Sequence, residues 1–414
     1  MADCEVRAGT TATLGTVEGE LRAGRNVTIR ARSGGRVVVT GGAIFEGAVA
    51  IGCGFECGSM RVEGRGYGPG GDVTVRGDLT VHERADINAS TRIDGDVRAD
   101  DLDVGGHFRS RSLTSRRARV GGHMTVQDAL RAESVDVGGH AKVGGEVDLV
   151  NLRVGGHAEI GGGKITGEIK VRGHLRTSKE LSFGELEVFG TLRLPAGSGG
   201  RRLKAIGTVE FEGDARCDEL DVSGTARVRG DLAAQSIEVR GRLSVSGSIM
   251  VAKKLRVYGT TDATRAIECD TLGVLGKLSA QRVTAAGHVD IAGEVDTAAG
   301  LKAESVLVGR GSRVAGPLVG GEIEVGRETD FGSMWGLPWW RSAVGGTTRV
   351  EDLHGATVRI GSNSSAGRVF GEVVELREGA AARQVMYTKD LKLSGGHHLH
   401  EPPVKAERLP DPPL

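Results

Sequence analysis

A valine–glycine signature returns down the middle of this chain about every 17 residues, and that spacing constrains the fold more than any single residue does. It reads VGGH at Val104, Val120, Val137 and Val154, VRGH at Val171, VFGT at Val188, VSGT at Val222, VRGR at Val239, VYGT at Val257 and VLGK at Val274. Ile206 (IGT) and Ile291 (IAGE) fill the two gaps, so thirteen intervals span the 221 residues from Val104 to Val325, a mean of 17. A strict period near twenty residues marks a solenoid, in which each repeat buries its apolar face only against its neighbours.

The segment 237–251 shows the unit. Inward candidates fall in three pairs, Ile237 with Val239, Leu243 with Val245 and Ile249 with Val251, each alternating with polar residues at period two. Short Gly, Ser or charged steps separate the pairs. The same triplet recurs as Val135 and Val137, Ala141 and Val143, Val147 and Leu149, and in part as Leu220 and Val222, Ala226 and Val228, then Leu232. Three short strands per turn imply a triangular coil, and no stretch keeps helical periodicity long enough for a helix. The predicted fold is all-β: a single-stranded β-helix (β-solenoid) with three short strands per turn of about 17 residues. Glycine supplies 68 of 414 residues without the collagen period, which fits a corner residue with positive φ once or more per turn. Aromatics are 3%, as a narrow prism filled by Val, Ile, Leu and Ala requires.

Four regions follow. Residues 1–103 read as irregular coils with loop insertions: signatures near Val17, Val39, Val62, Val75 and Ile93 are unevenly spaced, and GRGYGPGG at 64–71 reads as a protruding loop. Residues 104–326 are the regular solenoid, with a bulge at 195–202 (PAGSGGRR). Residues 327–400 read as a tryptophan-containing cap or further coils, since Phe331, Met334, Trp335, Trp339 and Trp340 crowd into FGSMWGLPWW and strand-like runs resume at 356–360 and 369–376. Residues 401–414 hold five of the nine prolines and read as a flexible tail that offers an unknown protein a place to dock. A coil end exposes unpaired backbone groups and an apolar cross-section, so self-association or capping is expected at Val17 and Leu21 on one side and at Phe331, Trp335, Trp339 and Trp340 on the other.

Lys and Arg number 54, as do Asp and Glu, and the signs are interspersed. A nucleic-acid partner would need a basic face, so none is expected. The one basic cluster, Arg116, Arg117 and Arg119, reads as a solvated turn. Five scattered cysteines do not make a disulfide framework and fit a reducing compartment. Cys53 and Cys57 lack the second pair that a zinc site needs. With no apolar leader at the N-terminus and no stretch of membrane-spanning length, a cytoplasmic protein without membrane association is expected.

His107, His123, His140, His157 and His174 occupy one repeat slot in five successive turns. Such a slot predicts a ladder along one edge, with neighbours about 5 Å apart. Thr191, Thr208, Thr225, Arg242, Thr260, Lys277 and Glu294 continue the slot, a drift that favours an exposed corner over a metal centre. Stacked imidazolium groups repel, so protonation below roughly pH 6.5 should be disfavoured within the column. His397, His398 and His400 lack a third ligand type in fixed geometry and read as a chance cluster. No nucleophile elbow, phosphate-binding loop or HExxH helix is present, so no catalytic residue, cofactor or resident metal is expected.

The units IEVRGRLSVSGSIMV, LDVSGTARVRGDL and VTVRGDLTV resemble the bactofilin family of polymer-forming cytoskeletal proteins. The resemblance implies a right-handed β-helix with three strands per turn whose copies join end to end into filaments without nucleotide. The chain departs from the family's usual form in its length, in lacking an apolar membrane-targeting start and in its tryptophan-rich segment. Two alternatives share the coil type. A left-handed hexapeptide-repeat enzyme, an acyltransferase or a gamma-type carbonic anhydrase, favours 18-residue turns. A carbohydrate-binding β-helix uses long loops carrying aromatics and carboxylates. The expectation is a non-enzymatic, self-associating scaffold that polymerises through its coil ends.

Overall fold

The computed structural model describes residues 3–33, 35–63, 72–327 and 346–413. Among them the regular elements are strands, with no helix, and neighbouring coils pair in parallel. The protein is an all-β β-solenoid. The chain divides into two units, Met1–Thr208 and Val209–Leu414.

One coil of the first unit shows how the pattern folds. Val135 and Val137 lie on a first face, Ala141 and Val143 on a second, Val147 and Leu149 on a third. Leu152 and Val154 then return to the first face and pair with Val135 and Val137. All eight are buried while the residues between them point outward, as a period-two pattern dictates. In the second unit Ile237, Val239, Leu243, Val245, Ile249 and Val251 are likewise all buried.

On the first face, successive coils stack one inward residue on the next. The first unit carries Val6, Ala23, Phe45, Val62, Ile87, Val104, Val120, Val137, Val154, Val171, Val188 and Ala205 in one column. The second carries Val222, Val239, Val257, Val274, Ile291, Val308, Val325, Ile360, Leu376 and Leu393.

These columns correct two local expectations. Ala205, not Ile206, is the partner of Val188, and Ile206 points outward with 38% of its surface exposed. A one-residue shift in reading a strand exchanges its faces. The segment 195–202 adds no residue to its coil, because Ser182 and Phe183 of the preceding third face pair with Gly199 and Gly200. The first hundred residues do carry longer coils, since the first-face partners Ala23 and Phe45 lie 22 residues apart and Val62 and Ile87 lie 25 apart. The signatures noted there also sit on different faces: Val17 and Val39 on the third, Val62 on the first, Val75 and Ile93 on the second. The loop at 64–71 lies outside the described residues.

Phe108 is fully buried in a coil that also points Ser110, Ser115 and Ala118 inward, so total volume is conserved. Phe45 and Phe55 meet across the interior with centroids 6.1 Å apart. Outside, opposite charges face each other one coil apart, as in Lys142 with Glu159 at 3.1 Å, Lys204 with Glu187 at 3.0 Å and Lys389 with Glu372 at 2.6 Å. Pairs between rungs such as these favour this register over slipped ones, while others, such as Arg92 with Asp94 at 3.1 Å, lie within a single rung.

Candidate functional site

The most ordered array of polar groups is the histidine column, and the corner before it explains its position. Each signature glycine closes the first face and starts the second. A Cβ on Gly241 would lie 1.9 Å from the carbonyl oxygen of Gly224, and one on Gly276 would lie 1.9 Å from that of Gly259. Close approach between rungs therefore demands glycine there. The expectation of positive φ at the corners holds for few of the signature glycines: Gly207 shows it at φ 143° and Gly326, after Val325, at φ 79°. In the VGGH turns, a Cβ on Gly122 would also come within 2.9 Å of His107 Nδ1, and one on Gly156 within 3.0 Å of His140 Cδ2. The corner thus leaves room for each ring to lie over the turn of the next coil.

His107, His123, His140, His157 and His174 form the ladder at successive centroid separations of 4.6, 4.6, 4.7 and 4.6 Å. All five are exposed. Two contacts join ring nitrogens directly: His107 Nδ1 to His123 Nδ1 at 2.9 Å, and His140 Nε2 to His157 Nδ1 at 3.1 Å. Such a contact needs one N–H and one lone pair, so it requires at least one neutral ring in each pair. Desolvation, then the neighbouring His107 and His140, push the pKa of His123 down. The column continues as Thr191 over His174, and in the second unit as Thr225, Arg242, Thr260, Lys277, Glu294, Arg313 and Arg349. Among the described residues no three His, Cys, Asp or Glu side chains converge on one point as a metal centre would.

The expected joint residues fare differently. Val17 belongs to the first rung of the third face and is 7% exposed. Leu21 is fully buried, because Cys4 lies over it as the outer rung. The outermost coil is therefore built from Cys4 and Val6, Ala12 and Leu14, and Val17, with Val6 and Val17 buried, Cys4, Ala12 and Leu14 half-buried, and Leu21 one rung inside. Phe331, Trp335, Trp339 and Trp340 lie outside the described residues.

The proline-rich segment is not left unpaired. Val404 and Lys405 pair in parallel with Met386 and Tyr387, and the Ala406 amide donates to the Tyr387 carbonyl at 2.9 Å. Residues 407–412 then line a shallow groove of 720 Å³ with His354 and Phe370, whose rings stack at 4.5 Å. His398 sits in a two-residue strand against Ala381, and His397 Nδ1 contacts the Ser394 carbonyl at 2.8 Å. At the basic cluster, Arg116 donates to Asp100 at 3.1 Å and to Asp101 at 2.7 Å.

All five cysteines are free thiols, and Cys53, Cys57, Cys217 and Cys269 are buried. Burial, with a smaller push from the adjacent carboxylate, lifts the thiol pKa of Cys57, Cys217 and Cys269 to about 12. These thiols behave as small apolar groups and not as nucleophiles or metal ligands.

Sequence reasoning missed one constellation. His288 Nε2 lies 2.6 Å from Asp290 Oδ1, and Nδ1 of the same ring lies 2.6 Å from Ser305 Oγ. Asp290 is 4% exposed although it occupies an outward position on its strand. The legible signal was that His288 and Asp290 share one side of a strand, with Ser305 one period of 17 residues further on.

No protein-family model matches the chain, and neither the curated proteins nor the solved structures contain a match. Among the described residues no helix is long and apolar enough to cross a membrane.

Proposed function

We propose that the protein is a non-enzymatic structural scaffold that associates end to end into nucleotide-independent filaments, as its resemblance to the bactofilin family implies. The observation that carries the reading is the edge of the first coil. Its strands Cys4–Val6, Thr11–Leu14 and Thr16–Val17 pair only with the coil that follows, and on their other side they have no strand partner among the described residues. Three parallel edges around an apolar cross-section form a template that another coil can extend. In the last coil of the second unit Leu393, 40% exposed, closes that unit's first-face column with nothing paired above it among the described residues. A joint between unlike ends does not close on itself and grows as a filament. The five unpaired thiols fit assembly in a reducing compartment.

Negative-stain electron microscopy of untagged protein over a range of concentration and salt tests this reading. Long unbranched filaments are expected, and Leu14→Lys or Leu393→Lys should abolish them while far-ultraviolet circular dichroism stays unchanged. Discrete particles under every condition would overturn polymerisation.

A further inference from the structure

We propose that the histidine ladder is a binding site for imidazole-preferring divalent transition metals, with His107 and His123 forming one two-nitrogen site and His140 and His157 a second. The geometry is the argument. An ion held at about 2.0–2.1 Å from two imidazole nitrogens, with an angle between about 90° and 110°, places those nitrogens roughly 2.9–3.4 Å apart. The two closest ring-nitrogen pairs of the ladder stand at 2.9 and 3.1 Å. The nitrogen spacing in each pair therefore matches the bite a metal ion needs, and at the first pair the ion would replace the bond that the His123 backbone amide donates to His107 Nδ1 at 3.1 Å.

The backbone holds that spacing. Consecutive rungs are locked in parallel register, Phe108 on Met124 and Met124 on Ala141 directly after their histidines. The inward neighbours Phe108, Met124, Ala141 and Ala158 are all buried, so the Cα frame carrying the rings is part of the packed stack. Glycine precedes each histidine and leaves its ring free of a Cβ from the next rung. All five rings are exposed, so ions reach them from solvent.

The protonation balance is simple. Each ring binds metal as neutral imidazole through one nitrogen and keeps its hydrogen on the other. Neutral ladder rings need only exchange tautomers, with no net proton released. Imidazole ligation suits Zn²⁺, Cu²⁺ and Ni²⁺ and disfavours Mg²⁺ and Ca²⁺. Two protein nitrogens per ion leave the remaining positions to water, which is why no cluster of three ligand types is needed. His174 is the next rung beyond the second pair, its ring tilted against that of His157 with centroids 4.6 Å apart.

The test is calorimetric titration of the full chain with Zn²⁺, with Mg²⁺ as control, followed by electron paramagnetic resonance of the Cu²⁺ form. Two equivalents of Zn²⁺ are expected, and nitrogen couplings from imidazole should appear in the Cu²⁺ spectrum. The double variant His107→Asn/His123→Asn should lose one equivalent and His140→Asn/His157→Asn the other. His397→Asn/His398→Asn/His400→Asn should leave both in place. Asparagine keeps a polar side chain at an exposed corner, and unchanged circular dichroism shows that the coil survives. Absence of Zn²⁺ binding to the parent chain, or stoichiometry unchanged in the ladder variants, overturns the proposal.

Discussion

His288 Nε2 meets Asp290 Oδ1 at 2.6 Å, on an aspartate that is 4% exposed, while the opposite ring nitrogen meets Ser305 Oγ at the same distance. The hydrogen bond to Asp290, with its negative charge, raises the pKa of His288 against the opposing effect of burial. The sign follows from linkage. A base whose folded pKa exceeds its unfolded value of about 6.5 contributes stability that is complete below that value and lost as pH rises through the folded one. We therefore expect the thermal midpoint of the parent chain to fall as pH rises above about 6.5, and His288→Gln to flatten that slope. Parallel pH profiles for the two proteins would contradict the pairing.

Ala205 and Ile206 test the register where sequence reading erred. Ala205 is 1% exposed and stacked on Val188, whereas Ile206 points outward. Ala205→Asp buries an unpaired charge and should destabilise the first unit by roughly 3–5 kcal/mol. Ile206→Asp should stay within about 0.5 kcal/mol of the parent. Urea unfolding of both variants decides it, and the reverse order of stability would mean that the signature reading through Ile206 was right.

The slip shows which part of the fold the sequence could carry. Where all three inward pairs of a coil are Val, Ile, Leu or Ala, as from Val135 to Leu149, periodicity places every side chain correctly. At Ala205 the inward residue is smaller than its outward neighbour, so hydrophobicity points the wrong way. The faces of the first hundred residues were hard to tell apart for a related reason: Val39, Val62 and Val75 are all inward, and nothing in their chemistry distinguishes one face from another. The histidine ladder was legible because one residue type recurs at one period. The link from His288 to Asp290 and Ser305 was not, because three residue types in two coils repeat nothing.

Gly241 should be far less replaceable than Gly15. Neither has positive φ, so only space separates them: a Cβ on Gly241 would lie 1.9 Å from the Gly224 carbonyl oxygen, whereas one on Gly15 would meet nothing within 4 Å. Gly241→Ala forces two rungs apart and is expected to cost about 1–3 kcal/mol or more. Gly15→Ala should be neutral or stabilising by up to about 1 kcal/mol, through the lower entropy of its unfolded chain. Thermal unfolding of the two variants checks the contrast, and equal effects would remove close approach as the reason for the recurring glycine.

Thr261 and Thr297 offer a test of the interior itself. Both are inward-facing and at most 1% exposed, so size and burial match. The Thr297 hydroxyl donates to the Ala315 carbonyl at 3.2 Å, whereas the Thr261 hydroxyl has no hydrogen-bond partner among the described residues. Threonine and valine have nearly the same shape, so exchange changes the polar group and little else. Thr261→Val removes a buried hydroxyl that folding strips of water without return, and should stabilise by about 1 kcal/mol. Thr297→Val leaves the Ala315 carbonyl without that donor and should destabilise by about the same amount. Denaturant midpoints moving in opposite directions are the expected result. A loss of stability in both variants would mean that Thr261 finds a partner, and that the prism interior is wetter than its apolar lining implies.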